Sequence, residues 1–336
     1  MTGILPFPSD AYGITSSIPI EVPLAAGRRV LDLNNRFVLA AGALEYVRKA
    51  ETAGYPRTCC AWIRGLYGFI RTAGVRRVIF VTGGDCSNTH AMMETLGEEL
   101  DELQTFAYPP ARDRTGLSNE IDRFCGAFGV SRGAAEEVGM RLAPIRASLA
   151  ELDRMTWEDG LVTGEENFQW LVSSSDFDGD PALFAMRLET FLNQAKRRSP
   201  LPAGPRLGVL GVPPIQSDLL AFAEKLGARI VFNEIPRQFA LMGPATDLAT
   251  RYLEFTYPYG AQPRMEDIAA ETARRRIDGL IHYTQAFCHR QIHDILLRRK
   301  LGIPILTIEG DAPGPCDART RLRVESFIEI LQERRS

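Results

Sequence analysis

Two neighbouring cysteines open the chemistry of this chain. In Thr58-Cys59-Cys60-Ala61-Trp62-Ile63-Arg64-Gly65-Leu66-Tyr67-Gly68 the thiols are adjacent, and adjacent residues can hardly form an unstrained disulfide with each other. At least one of them has another task. Cys86 follows the run Val75-Arg76-Arg77-Val78-Ile79-Phe80-Val81-Thr82 and a Gly83-Gly84 turn, and Cys288 follows Gly279-Leu280-Ile281-His282-Tyr283. Cys60 stands before a helical pattern. Three thiols at three element junctions could converge on one metal in a cleft, since helix starts favour thiolate. The commoner fate of a free cysteine is burial as a small hydrophobe, and no CxxC pair decides between the two.

Histidine offers a rival site. Cys86 with His90, and Cys288 with His289 and His293, have spacings from which a Cys/His zinc site can be drawn, although histidines near helix starts more often cap or face solvent. A nicotinamide site is weaker. Gly208-Val209-Leu210-Gly211-Val212-Pro213-Pro214 lacks the third glycine of a dinucleotide loop, and its prolines remove amide donors that a pyrophosphate needs.

The elements that must carry these residues read as α/β. Residues 75–82 form a strand that leads through a glycine turn into a helix containing Met92, Met93 and Leu96. Beyond the Pro/Gly joint Ser199-Pro200-Leu201-Pro202-Ala203-Gly204-Pro205, strands are expected at 206–211, 228–232, 279–283 and 303–308, with helices at 217–226 and 288–300. Such alternation predicts parallel sheets covered on both faces. Residues 115–195 are rich in Ala, Glu, Arg and Leu with no convincing strand. The expectation is therefore two Rossmann-like or flavodoxin-like parallel-sheet domains joined by a helical segment: 1–114 with Cys60 and Cys86, 115–200 helical, and 201–336 with Cys288. No solenoid-length repeat stands out.

Bulk composition narrows the partners. The 336 residues are 45% hydrophobic and carry a net charge of −3, so nothing predicts capture of nucleic acid or of an anionic membrane. The N-terminus lacks the basic start and apolar run of a secretory signal, and no stretch reaches the roughly 18 to 20 apolar residues that span a bilayer. A cytoplasmic protein is expected, whose cysteines are thiols or metal ligands rather than a disulfide framework.

Several ordered segments resemble one family, the component shared by 2-hydroxyacyl-CoA dehydratases and class I benzoyl-CoA reductases, here in its smaller-subunit form. Ile18-Pro19-Ile20-Glu21-Val22-Pro23-Leu24-Ala25-Ala26-Gly27 is similar to its opening segment, expected just before the first strand. Tyr55-Pro56-Arg57-Thr58-Cys59-Cys60 through Gly68 resembles its first cysteine segment, and Asp85-Cys86-Ser87-Asn88 its second. Asp278-Gly279-Leu280-Ile281, Phe287-Cys288, residues 301–311 and residues 320–328 resemble its C-terminal signature.

The resemblance implies a 4Fe-4S cluster on Cys60, Cys86 and Cys288, with Cys59 beside it or exchanging roles with Cys60, and an iron left without a thiolate. It implies an electron from a separate ATP-hydrolysing iron–sulfur activator, used on an acyl-CoA either to form a ketyl radical and expel the 2-hydroxyl or to reduce an aromatic ring. No GxxxxGK[ST] loop is present, so ATP is expected to act on the partner. A homologous larger subunit or a self-dimer is the expected assembly, and a non-catalytic electron-transfer or maturation protein of the same fold is the alternative. The extra cysteines of double-cubane relatives are replaced by Asn233-Glu234-Ile235-Pro236 and Phe255-Thr256-Tyr257-Pro258-Tyr259-Gly260, while Cys125 lies in the helical segment and Cys316 in a late loop. Glu309 and Asp311, at the end of the last strand, are candidate catalytic carboxylates or plain loop formers. Arg237 could meet a CoA phosphate or be a surface arginine, and solvation is the simpler account of Arg274-Arg275-Arg276.

Overall fold

The computed structural model describes residues 7–40 and 42–335. They form two compact units. The first holds the described residues up to Arg146 with Ser173–Phe184 and Leu241–Gly260; the second holds Ala147–Val172, Ala185–Ala240 and the described residues from Ala261 onward. The helices between 114 and 195 (Arg114–Ala127, Arg132–Arg154, Gly164–Ser173 and Pro181–Ala195) are shared between the units. Among the described residues that stretch contains no strand.

Each unit is built on a four-stranded, all-parallel sheet, and the two have the same strand order. In the first, β1 (Ala11–Ile14), β2 (Arg29–Asp32), β3 (Arg77–Gly83) and β4 (Glu102–Ala107) are ordered β2-β1-β3-β4; in the second, β5 (Arg206–Gly211), β6 (Arg229–Asn233), β7 (Gly279–Gln285) and β8 (Ile305–Gly310) are ordered β6-β5-β7-β8. β3 and β7 are the pivots. Val78, Ile79, Phe80 and Val81 are all buried, as is every residue of β7, because a central parallel strand is covered on both faces and so shows an apolar run instead of alternation. The segment 18–27 therefore precedes the second strand and not the first. β1 is four residues with only two large apolar side chains, and half the residues of the edge strand β4 are polar, so neither announces itself by pattern.

The helix Ala61–Ala73, which begins one residue after Cys60, is set tightly in place. A Cβ on Gly68 would fall 2.0 Å from the Tyr46 carbonyl oxygen, and one on Gly65 2.0 Å from the Phe37 ring, so the two glycines allow the helices Ala43–Thr52 and Leu33–Val38 to close on it. Its Arg64, only 4% exposed, is paired with Glu51.

Arg275 departs from the solvated run expected at 274–276. It is fully buried, with Nη1 and Nη2 on Asp153 at 2.9 and 2.5 Å and Nε on Glu271 at 2.6 Å. Only its neighbours Arg274 and Arg276 face solvent. A buried guanidinium needs two carboxylates at good geometry, and the second comes from a helix that is remote in sequence.

A carboxylate pair fastens the end of β2. The Asp32 amide donates to Asp176 Oδ2 at 2.7 Å, the Asp178 amide to Asp176 Oδ1 at 2.9 Å, and Ser175 Oγ to Asp32 Oδ2 at 2.7 Å. Burial, with the charge of Asp32 next, pushes the Asp176 carboxyl up to about 7, against about 3.9 in an unfolded chain. Folded protein thus holds a proton that unfolded protein has released, and stability falls as pH rises between those values. The expected slope from this group is about 1.4 kcal/mol per pH unit from about pH 4 to 7. Urea midpoints across that window check it, and Asp176→Asn is expected to flatten the profile.

Candidate metal centre

All three cysteines marked by the sequence occupy the residue immediately before a helix. Cys60 precedes Ala61–Ala73, Cys86 precedes Ser87–Leu96 and Cys288 precedes the short 3-10 turn His289–His293, and each has extended backbone angles. The repeat of the sheets extends to these residues. β3 ends at Gly83 and Cys86 is three residues on; β7 ends at Gln285 and Cys288 is three residues on.

The turn before Cys60 is repeated as well. Cys59 N–H donates to the Pro56 carbonyl at 2.9 Å, and Tyr259 N–H to the Thr256 carbonyl at 3.1 Å, each just before a helix starts, at Ala61 and at Ala261. Gly260 stands at the counterpart of Cys60. Of the four junctions that the duplicated fold defines, three therefore carry a thiol and the fourth carries no side chain.

In the first unit, Cys59, Cys60 and Cys86 lie within electrostatic reach of one another. The Cys60 S–H donates to Cys59, which holds the Cys59 thiol below its ordinary range, with the Arg64 charge assisting against burial. That same bond, then burial, pushes Cys60 far up, while the amides of Ile63 and Trp62 favour its thiolate. Burial, then Asp85, raises Cys86, opposed by the amide and hydroxyl of Thr89; the hydroxyl is 3.8 Å from Sγ. Gly84, at φ +83, lets the chain turn beside Cys86 where a Cβ would meet Pro258 at 2.4 Å. Arg64 was not singled out in the sequence, though its place one helical turn after Cys60 was a usable signal.

The remaining candidates are distributed differently. His90 Nε2 faces the Thr82 carbonyl at 2.5 Å and His293 Nδ1 faces Arg264 Nη1 at 3.2 Å. Burial, then Arg264, pushes His293 down to about 4. Cys125 and Cys316 are buried, and burial followed by Asp218 raises Cys316 to about 12. Arg237 pairs with Asp267 and lies over the Phe232 ring at 5.5 Å. Glu309 Oε2 accepts from Gln291 Nε2 at 2.7 Å, and Asp311 is exposed beyond β8. Among the described residues no three His, Cys, Asp or Glu side chains are grouped so as to hold a metal ion, and no helix is long and apolar enough to cross a membrane.

In kind, the donor set fits an iron–sulfur cluster. Its thiols are buried or half-buried, and backbone amides point at the sulfurs of Cys60 and Cys86, the hydrogen bonding that stabilises thiolate ligands.

Fold and thiols together define a duplicated parallel α/β protein with cysteines at its strand ends. The chain belongs to the 2-hydroxyglutaryl-CoA dehydratase D-component family, whose model matches residues 15–331. No curated protein matches it. Among solved structures, one described as the SBP FpvC in complex with Ni2+ from P. aeruginosa is 12% identical, with 96% of this chain and 97% of that chain covered, at a TM-score of 0.26. A likeness of that size bears on neither fold nor function.

Proposed function

We propose that this chain is the cluster-bearing smaller subunit of a 2-hydroxyacyl-CoA dehydratase, with Cys60, Cys86 and Cys288 as ligands of a 4Fe-4S cluster. The observation that carries the reading is the repeated junction: two sheets of one strand order each place a cysteine three residues beyond the third strand. Family membership supports the CoA-thioester substrate. When bound, such a cluster supplies a low-potential electron and an iron free of thiolate.

The chain's own residues prepare that site. The amides of Ile63, Trp62 and Thr89 neutralise thiolate charge, Arg64 adds a positive charge beside Cys59, and Gly84 keeps the turn at Cys86 narrow. Arg237, whose Nη2 is held by Asp267, is the proposed contact for a CoA phosphate. Electrons come from a separate ATP-hydrolysing iron–sulfur activator, and a longer homologous chain completes the enzyme in the cytoplasm, where thiols stay reduced.

Iron and acid-labile sulfide measured on protein purified without oxygen test the reading. About four irons per chain and broad visible absorption are expected. Colourless protein that holds zinc in place of iron would overturn it.

A further inference from the structure

The second sheet reverses direction at β5. Its chain passes from β5 to β6 on one side and returns to β7 on the other, so the order β6-β5-β7-β8 has its switch point between β5 and β7. Pairing with β5 ends at Gly211 opposite Tyr283, whereas pairing with β8 continues through Thr284–Glu309 and Gln285–Gly310. β7 thus overhangs β5 by two residues. Gln285 is the last of them, at the kind of crevice where open parallel sheets bind ligands.

Gln285 is 2% exposed, and neither its Oε1 nor its Nε2 has a hydrogen-bond partner. Leaving a buried amide unpaired costs about 1–3 kcal/mol, which favours leucine at such a position unless a bound group completes the pairing. The loop leaving β5 carries a second buried amide, this one half-paired. Gln216, 8% exposed, donates Nε2 to Thr320 Oγ1 at 3.4 Å, and its Oε1 accepts nothing. The strand position paired with Gln285 is Gly310, and the Tyr283 side chain takes the space a side chain would fill there, since a Cβ would fall 1.7 Å from the Tyr283 hydroxyl.

A carboxamide presents an N–H donor and a C=O acceptor side by side. A 2-hydroxyacyl thioester presents the complement on adjacent carbons, a carbonyl acceptor and a hydroxyl donor, whereas the dehydrated or saturated acyl group keeps only the acceptor. We propose that Gln285 is the residue that recognises the 2-hydroxyacyl group, Nε2 donating to the thioester oxygen and Oε1 accepting from the 2-hydroxyl. This rests on the reading above that the chain meets an acyl-CoA. It supplies what that reading lacks, a means of telling substrate from product, since the product forfeits one of the two bonds.

Calorimetric titration of the cluster-loaded chain, without activator, with 2-hydroxybutanoyl-CoA and butanoyl-CoA tests the proposal. Wild type is expected to bind the hydroxy ester about 10-fold tighter, and Gln285→Leu to bind both esters more weakly and to lose that preference, because the variant gives up the bond to the thioester oxygen that the two esters share. Its thermal midpoint should not fall, because replacing an unpaired amide with an apolar group of similar shape removes a penalty. Equal binding of the two esters by wild type, a preference retained in Gln285→Leu, or a lowered midpoint would overturn the role of Gln285 and leave the acyl-CoA reading standing. Iron-replete wild type that binds neither ester, both alone and co-purified with its longer homologue, would overturn both.

Discussion

Cys86→Ala protein purified without oxygen will retain little of the iron found in wild type, and Cys60→Ala and Cys288→Ala will behave alike. A cluster held by three thiolates has no protein ligand to spare, so each is needed. The amides of Ile63, Trp62 and Thr89 face the sulfurs of Cys60 and Cys86, so circular dichroism of each variant is the control that separates loss of a ligand from loss of a helix start. Cys125→Ala and Cys316→Ala are the controls: both side chains are buried, Cys125 within the helix Arg114–Ala127 and Cys316 in the loop after β8, and iron should stay at the wild-type level. Cys59→Ala separates the neighbours. Iron kept in Cys59→Ala and lost in Cys60→Ala assigns the ligand to Cys60; the opposite result assigns it to Cys59, whose thiol is the more acidic of the pair in the metal-free protein. Full iron in all of Cys60→Ala, Cys86→Ala and Cys288→Ala sinks the assignment.

The pivot strands were legible in the sequence for one reason. Val78-Ile79-Phe80-Val81 and Gly279-Leu280-Ile281-His282-Tyr283 are short runs closed by turn signals, and burial on both faces makes such runs necessary. The cysteines after them could be found by looking at strand ends. The duplication was hidden because its turns are fixed by backbone bonds, Cys59 to Pro56 and Tyr259 to Thr256, that place little demand on side chains. Arg275 read as a solvated arginine since its partner Asp153 is 122 residues away. Gln285 gave no signal at all: an amide at a strand end becomes informative only once its burial and lack of partners are known.

Glu234→Gln is expected to lower folding stability by about 3–5 kcal/mol, with Arg264→Met close behind. The two groups are 0% and 1% exposed and meet in parallel, Nε to Oε1 at 2.6 Å and Nη2 to Oε2 at 2.8 Å. Burial pushes the Glu234 carboxyl up, and the Arg264 charge with the Gly211 amide at 2.8 Å more than offsets it, holding the group ionised below the usual carboxylate range. Either single replacement strands a charge or its donors away from water, and that penalty sets the size of the loss. The double variant Glu234→Leu/Arg264→Met should recover most of it, since an apolar pair removes both desolvation costs. Urea denaturation followed by circular dichroism measures all three, and a single-variant loss below about 1 kcal/mol would mean that water reaches the pair. The network also bears on the proposed cluster site. Glu234 ties the end of β5 to the residue after β6, while Arg264 Nη1 reaches His293 in the turn that begins at Cys288. In the double variant, then, stability should return while the Cys288 turn stays unanchored, so iron affinity is expected to remain below wild type even where the urea midpoint does not.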